Sequence, residues 1–150
     1  MSRFDYLKQY DVREGKTSEY TLFSIRGEPT LTVLYAGERN KPFFNAVLKK
    51  TKTVSAARRK LSAARMKKDR QSDKELYAKY IIKGWRNVLE RNDRGEEVES
   101  TFSPENVLEW LEALPNHMFD EIRMFCSDET NFIEEVELGE EPNGVDIAGN

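Results

Sequence analysis

The strongest constraint on the fold of this chain is the order of helix and turn signals between Ser72 and Phe132. Large apolar residues at helical spacing lead into Gly84-Trp85, and a turn containing Gly95 follows. Ser103-Pro104 then combines a capping side chain with a proline in the first helical turn, where its missing amide hydrogen costs nothing. Pro115 stops that helix and can begin another. This order predicts a small helical domain.

A β-hairpin is predicted at about residues 20–36, because β-branched and aromatic residues flank the turn-forming sequence Arg26-Gly27-Glu28-Pro29. Helices are predicted at about 40–50, 55–70, 72–91, 104–114 and 115–127. The predicted fold class is therefore α+β, mainly α, with an N-terminal β-hairpin packed on about five helices. We expect residues 1–138 to form a single α-rich domain and residues 139–150 to form a flexible acidic tail.

Charge is distributed unevenly along the chain, although the net charge is only −3. Residues 49–70 contain ten lysines and arginines and a single acidic residue, Asp69. From Asp120 onward there are ten acidic residues and a single basic one, Arg123. Such asymmetry predicts contacts with charged partners, or between the two oppositely charged parts of the chain.

Groups that could support catalysis or bind a metal are scarce. The single histidine, His117, follows Pro115 in the first turn of a predicted helix and is interpreted as an ordinary surface or half-buried residue. The single cysteine, Cys126, lies at helical spacing beside Ile122 and Phe125 and is interpreted as a small core residue. No His/Cys pair has metal-ligand spacing, and no glycine-rich loop lies between a strand and a helix. We therefore expect a protein that is not an enzyme and has no metal or cofactor. No apolar run approaches the roughly 20 residues that span a bilayer, so no membrane contact is expected.

Two groups of residues are candidates for partner binding. Trp110 lies beside the apolar face of its predicted helix, where it could anchor a protein contact. The basic side chains Arg58, Arg59, Lys60 and Arg65 could meet an acidic protein surface or the phosphates of a nucleic acid. Their segment contains no interleaved aromatic residues for base stacking, so nucleic-acid binding is the less favoured interpretation.

The same residues resemble a known family. The pattern consists of an apolar pair followed by x-Gly84-Trp85, then Gly95, then the helix start Phe102-Ser103-Pro104-Glu105-Asn106, then a helix–Pro115–helix finish. It is similar to the tail assembly chaperones of long-tailed, siphovirus-type bacteriophages. A short hairpin, followed by Asn40-Lys41-Pro42-Phe43-Phe44-Asn45, extends the resemblance over about residues 20–135.

The resemblance implies a non-enzymatic assembly factor in the cytoplasm of an infected bacterium. Proteins of this family bind the tape measure protein and tail tube subunits during tail morphogenesis, and they are absent from the mature virion. Self-association is a further expectation. Two alternatives stay open on the sequence alone: a nucleic-acid-binding accessory protein that uses the basic segment 49–70, and a structural head–tail or tail component of the virion.

Overall fold

The structure, a computed structural model, describes residues 2–54 and 63–133 of the chain. Two antiparallel sheets and four α-helices make up most of the described part. The strands are β1 (Thr17–Thr21), β2 (Thr30–Leu34), β3 (Ile82–Arg86), β4 (Leu89–Arg91) and β5 (Glu97–Glu99). The α-helices are α1 (Lys41–Val54), α2 (Ala63–Leu76), α3 (Pro104–Ala113) and α4 (Asn116–Ser127). Short 3-10 helices lie at Asp5–Tyr10 and Glu129–Phe132.

The larger sheet has the strand order β1-β2-β3, and both strand pairs are antiparallel. Strands β1 and β2 form the predicted hairpin, although β1 lies earlier than the sequence pattern suggested and ends at Thr21. Leu31 and Val33 of β2 are fully buried, because their side chains point to the helix-covered face of the sheet. The hairpin therefore gains from the helices the packing that an isolated hairpin lacks.

The helix predicted over residues 72–91 is wrong at its C-terminal end. Helix α2 passes through a single π-helical turn, Tyr77–Ile81, and the chain then continues directly as strand β3, which carries Gly84 and Trp85. The helical spacing of the apolar residues did not distinguish a helix from a strand here, because β-branched and aromatic residues also favour strands. Pairing with β2 buries Ile82 completely, and glycine at 84 is a poor helix former.

The predicted helix start at Ser72 is also wrong, because Ser72 lies inside α2. The helices predicted at 55–70 and 72–91 are, in the described part of the chain, one helix that begins at Ala63. No glycine or proline separates the two predicted segments, so the helix continues through Ser72-Asp73 without a break. Residues 55–62 lie outside the described residues.

A second, unpredicted hairpin follows the first sheet. Strands β4 and β5 pair through the turn Asn92–Gly95, where the Asn92 side-chain oxygen accepts hydrogen bonds from the amides of Arg94 and Glu96, both at 2.9 Å. Gly95 has φ +80°, a value that glycine adopts without strain. The predicted turn at Gly95 thus joins two strands and does not end a helix.

Helices α3 and α4 lie where the sequence predicts them. Ser103 caps α3 by accepting a hydrogen bond from the Asn106 amide at 3.0 Å, and Pro104 follows in the first turn. Pro115 separates α3 from α4, as expected for a residue that cannot continue a helix. Both helices bury apolar faces against the sheet and α2. The fully buried core side chains include Leu31, Val33, Ile81, Val107, Leu111, Phe119, Ile122, Cys126 and Phe132.

These elements confirm the predicted α+β, mainly α, fold class with a β-hairpin packed on helices. The acidic tail predicted at 139–150 lies outside the described residues. The 3-10 helix Glu129–Phe132 ends the described part and is fixed to the rest of the domain. Ser18 donates a hydrogen bond to the Asn131 carbonyl, and the Arg13 amide donates to the Phe132 carbonyl at 3.1 Å.

Two glycines should respond differently to alanine. Gly27 has φ +88°, and an added Cβ would lie 3.1 Å from the Asn87 carbonyl oxygen, so Gly27→Ala should lower the free energy of unfolding by about 1–2 kcal/mol. Gly84 is the matched control, because its added Cβ would meet only Thr32, at an ordinary 3.6 Å. Gly84→Ala should leave stability unchanged or raise it by up to about 1 kcal/mol. Urea unfolding measures both, and equal losses would contradict this assignment.

Candidate protein-binding site

The aromatic residues singled out from the sequence form one cluster. The Trp85 ring meets Phe102 and Trp110 edge to face, each at a centroid distance of 5.8 Å. The Trp85 indole N–H donates a hydrogen bond to the Ser100 carbonyl at 3.0 Å, which ties β3 to the segment that leads into α3. We call Trp85, Phe102 and Trp110 the tryptophan cluster. Its contacts are those of a structural unit that joins the sheet to α3.

Trp110 is half-buried, because one edge of its indole packs against Trp85. A groove of about 410 Å³ opens beside it, bordered by the charged residues Glu90, Arg91 and Glu109. Charged borders are less suited to an apolar partner than to a polar one. The role of Trp110 as an anchor for a partner therefore stays a prediction.

Of the four basic candidates, Arg65 lies in the described part of the chain. Arg65 lies on α2, where its Nε is 3.8 Å from the Asp69 carboxylate, in a partly exposed i,i+4 pair of modest strength. Arg58, Arg59 and Lys60 lie outside the described residues. The structure thus places Arg65 near the start of α2, where it lines a groove between α1 and α2 that the sequence did not predict.

That groove is long and lies beside α1. Its first half has a volume of about 610 Å³ and lies between α1, the end of α2 and α4. Apolar side chains form much of its surface: Phe43, Phe44, Val47, Tyr77 and Met124. Met124 is 73% exposed, and it lies beside the other apolar side chains of this surface, so together they form a patch.

The second half, about 540 Å³, lies between α1 and α2 and shares Val47 and Asp73 with the first. The two halves are therefore continuous, and we call them together the α1 groove. Lys50, Arg65 and Lys68 line the outer end of this second half. The α1 groove thus has an apolar end near α4 and a charged end near the start of α2, where the acidic Asp69, Asp73 and Glu75 lie among the basic side chains.

An ion-pair network lies along the side of the groove formed by α2 and α4. The Arg123 guanidinium donates hydrogen bonds to Asp73 at 2.7 Å and to Asp120, and it lies 4.8 Å from the Phe119 ring centroid. The hydrogen bond from Arg123 lowers the pKa of the Asp120 carboxyl. Asp73 and Arg123 thus satisfy each other's charge, and α4 is held against α2 at a fixed spacing.

One sequence signal could have revealed the α1 groove. Phe119, Ile122 and Cys126 form the buried face of α4, and Met124 lies off that face. A single such residue is common, but Met124 lines one surface together with Phe44 and Val47, and a contiguous exposed apolar patch indicates a binding surface. On α1, two adjacent phenylalanines, Phe43 and Phe44, cannot both point to one buried face, and only Phe43 is buried.

The titratable groups considered for chemistry occupy ordinary positions. Burial raises the pKa of the Cys126 thiol to about 12, so this cysteine is a core residue and a poor nucleophile. His117 is exposed in the first turn of α4. Within residues 2–54 and 63–133, no three His, Cys, Asp or Glu side chains converge as metal ligands would. No helix in the described part of the chain is long and apolar enough to cross a membrane.

Comparison with known proteins identifies a family. A family model described as YdaY prophage protein matches residues 38–141, a range that starts just before α1 and continues past α4. No curated protein and no solved structure matches the chain. The family model covers more than half of the 150 residues and supports the phage origin that the sequence resemblance implied. This chain therefore belongs to the YdaY prophage protein family.

Proposed function

We propose that this phage-related protein is a tail assembly chaperone. In this proposal it binds the tape measure protein and tail tube subunits transiently, in the cytoplasm of the infected bacterium, and is absent from the mature virion. It acts through binding surfaces and carries out no chemical step. The sequence resemblance supports this proposal, and the prophage family agrees with the phage origin that it requires.

The α1 groove is the structural observation that carries the proposal. A tape measure protein of this kind has long apolar helices, which would aggregate if they were left exposed. An amphipathic helix can lay its apolar face into a groove lined by Phe44, Val47 and Met124. Methionine suits such a role because its unbranched side chain adapts to different surfaces.

The charge at the groove's outer end fits a reversible contact. Lys50, Arg65 and Lys68 can attract acidic side chains of a partner and fix its direction. Because such exposed ion pairs contribute little net free energy, they do not prevent release. A chaperone that leaves the finished particle needs this combination of apolar capture and weak polar orientation.

The proposal predicts a large effect of Met124→Glu on client binding. Met124 would bury its side chain in the complex, so its loss should weaken binding of the co-expressed tape measure protein by about tenfold or more. Because Met124 is exposed in the free protein, the fold should be unaffected. Phe23→Glu is the matched control, since Phe23 is 75% exposed and lies outside the α1 groove. Co-purification and the soluble fraction of the tape measure protein measure the effect.

Three further measurements distinguish the chaperone proposal from its alternatives. If Trp110→Ala abolishes co-purification and Met124→Glu does not, the tryptophan cluster is the binding site and the α1 groove is not. Retention of nucleic acid at near-physiological salt would favour an accessory protein that uses the basic segment. Stoichiometric recovery of the chain from purified particles by mass spectrometry would show a virion component and overturn the proposal.

A further inference from the structure

We propose that the groove beside Trp110 binds an arginine side chain of a partner polypeptide. This groove lies between α3 and β4 and has a volume of about 410 Å³, and we call it the α3 groove. It shares no lining residue with the α1 groove, so it is a separate surface. The inference goes beyond the proposed function and does not depend on it, because it assumes no particular client.

One face of α3 forms one side of the α3 groove. Four residues at spacings of three and four line it: Asn106, Glu109, Trp110 and Ala113. Such spacing places them in a single stripe along the helix. The neighbouring stripe, which includes Val107 and Leu111, is buried in the core and fixes the orientation of the helix. Trp110 and Glu109 are therefore presented to the groove side by side.

Strand β4 forms the opposite side of the groove and directs Glu90 toward α3. Val88 and Ser100 lie opposite each other beside β4, since the Ser100 amide donates a hydrogen bond to the Val88 carbonyl at 2.7 Å, and both residues are buried and line the groove. Side chains alternate between the two faces of an extended chain, so Glu90 lies on the same face as Val88. Glu90 and Glu109 thus bring carboxylates to the α3 groove from its two sides.

The other face of β4, which carries Leu89 and Arg91, turns toward the first hairpin. A side-chain carbon of Leu89 lies 3.2 Å from the position that a Cβ added at Gly27 would take. Glu97 lies opposite Arg91 in the second hairpin and forms an ion pair with the turn of the first. Although Arg91 borders the α3 groove, its side chain therefore belongs to the face opposite that of Glu90, and the groove is left acidic.

The group that fits the α3 groove is a cation with hydrogen-bond donors of its own. Among the described residues, neither Glu90 nor Glu109 forms an ion pair, so both carboxylates are open to a partner. Two carboxylates repel phosphate, which disfavours a nucleic acid. An inorganic cation would find too few ligands, because no three acidic, His or Cys side chains converge in the described part of the chain.

Arginine matches the aromatic part of the α3 groove as well. Its planar guanidinium can lie on the face of an indole while its five N–H groups donate to a carboxylate beside that ring. The Trp85 and Trp110 rings meet at an interplanar angle of 73°, so Trp85 supports Trp110 from one side. Lysine, a compact and strongly hydrated charge, gains less from such a surface.

NMR titration of the full chain with a capped glycine–arginine–glycine tripeptide tests the inference. The chain contains two tryptophans and hence two indole N–H signals, and the signal that is lost in Trp110→Phe belongs to Trp110. We expect the arginine peptide to shift this signal saturably at near-physiological salt, where distant surface charges are screened. The matched probe carries citrulline, which replaces the guanidinium by an uncharged urea of similar shape. It should bind about two- to fivefold more weakly.

Two glutamates of α3 form a matched pair of variants. Glu109→Gln should weaken binding of the arginine peptide about two- to fivefold, and adding Glu90→Gln should weaken it further. Glu112→Gln removes the same charge from the same helix and should leave binding unchanged. Glu112 is exposed on another face of α3, where it accepts a hydrogen bond from the Gln71 side chain of α2 at 2.6 Å.

Three results would overturn the inference. Equal binding of the citrulline peptide would show that the guanidinium charge plays no part. Equal weakening by Glu112→Gln and Glu109→Gln would assign the effect to the net charge of the protein and not to the α3 groove. A Trp110 signal that does not shift, or that shifts without saturating, would show that the groove holds no arginine. Since no tape measure protein is present, the result is independent of the chaperone proposal.

Discussion

Phe119→Ala should be among the most destabilising single substitutions, lowering the free energy of unfolding by about 3–5 kcal/mol. Phe119 is fully buried on α4 and meets the Tyr77 ring edge to face at 5.6 Å. The guanidinium of Arg123 and the ammonium of Lys74 lie 4.8 and 5.8 Å from its ring centroid. Alanine would leave a cavity at the junction of α2 and α4 and remove the aromatic face beneath two cations.

Chemical unfolding followed by circular dichroism measures this loss. Met124→Ala is the matched control, because Met124 lies on the same helix and is 73% exposed, so its truncation should change stability by no more than about 0.5 kcal/mol. A loss under about 1 kcal/mol for Phe119→Ala would mean that α4 is rotated from the position described. A large loss of unfolding free energy for Met124→Ala would mean that Met124 is part of the core and does not line an open groove.

Trp85→Ala should cost about 3 kcal/mol, near the lower end of the range for a large aromatic residue. Trp85 is half-buried, and its removal would separate Phe102 from Trp110 and delete the hydrogen bond to the Ser100 carbonyl. Because these contacts join β3 to the start of α3, the loss should appear as one cooperative unfolding transition at lower denaturant concentration. Thermal and urea unfolding should agree on its size.

Trp85→Phe separates the two contributions. The phenylalanine ring keeps most of the packing on Phe102 but has no N–H to donate to the Ser100 carbonyl, so the expected loss is about 1 kcal/mol. If Trp85→Phe were as harmful as Trp85→Ala, the hydrogen bond would dominate. If Trp85→Ala cost under about 1 kcal/mol, the tryptophan cluster would not stabilise the fold.

The sequence predicted those elements whose local signals agree with their tertiary contacts. Ser103-Pro104 marks the start of α3, and Pro115 marks the boundary between α3 and α4, because a cap and a missing amide act within one helical turn. The turn at Gly27 likewise fixed the hairpin, since its backbone requires positive φ. At these positions, short-range chemistry alone determines the structure.

Strand β3 shows why other elements could not be predicted. The spacing of Tyr77, Ile81 and Trp85 fits a helical face, and the same residues also suit a strand. Only the presence of β2, fifty residues earlier in the chain, decides between the two, because pairing buries Ile82 beside Val33. Long-range pairing of this kind leaves no mark in a short sequence window.

The candidate site was predicted less well than the fold. Trp110 and Arg65 were chosen for their residue types, but the α1 groove depends on how far α1 and α4 are separated by the side chains between them. Phe44 and Met124 belong to helices that are more than sixty residues apart in the chain. Their proximity follows from the packing of Phe43 and Phe119 on Tyr77, which a sequence pattern does not encode.

The direct passage of α2 into β3 has a mechanical consequence. The π-helical turn Tyr77–Ile81 joins α2 to β3 without a loop that could absorb movement between the two elements. Its buried side chains pack against α3, α4 and the sheet. A displacement of α2 along its axis must therefore be transmitted to the hydrogen-bond register of β3. α2 and β3 therefore behave as one rigid unit. If a polypeptide binds between α1 and α2, we expect α1 to move and α2 to stay in place.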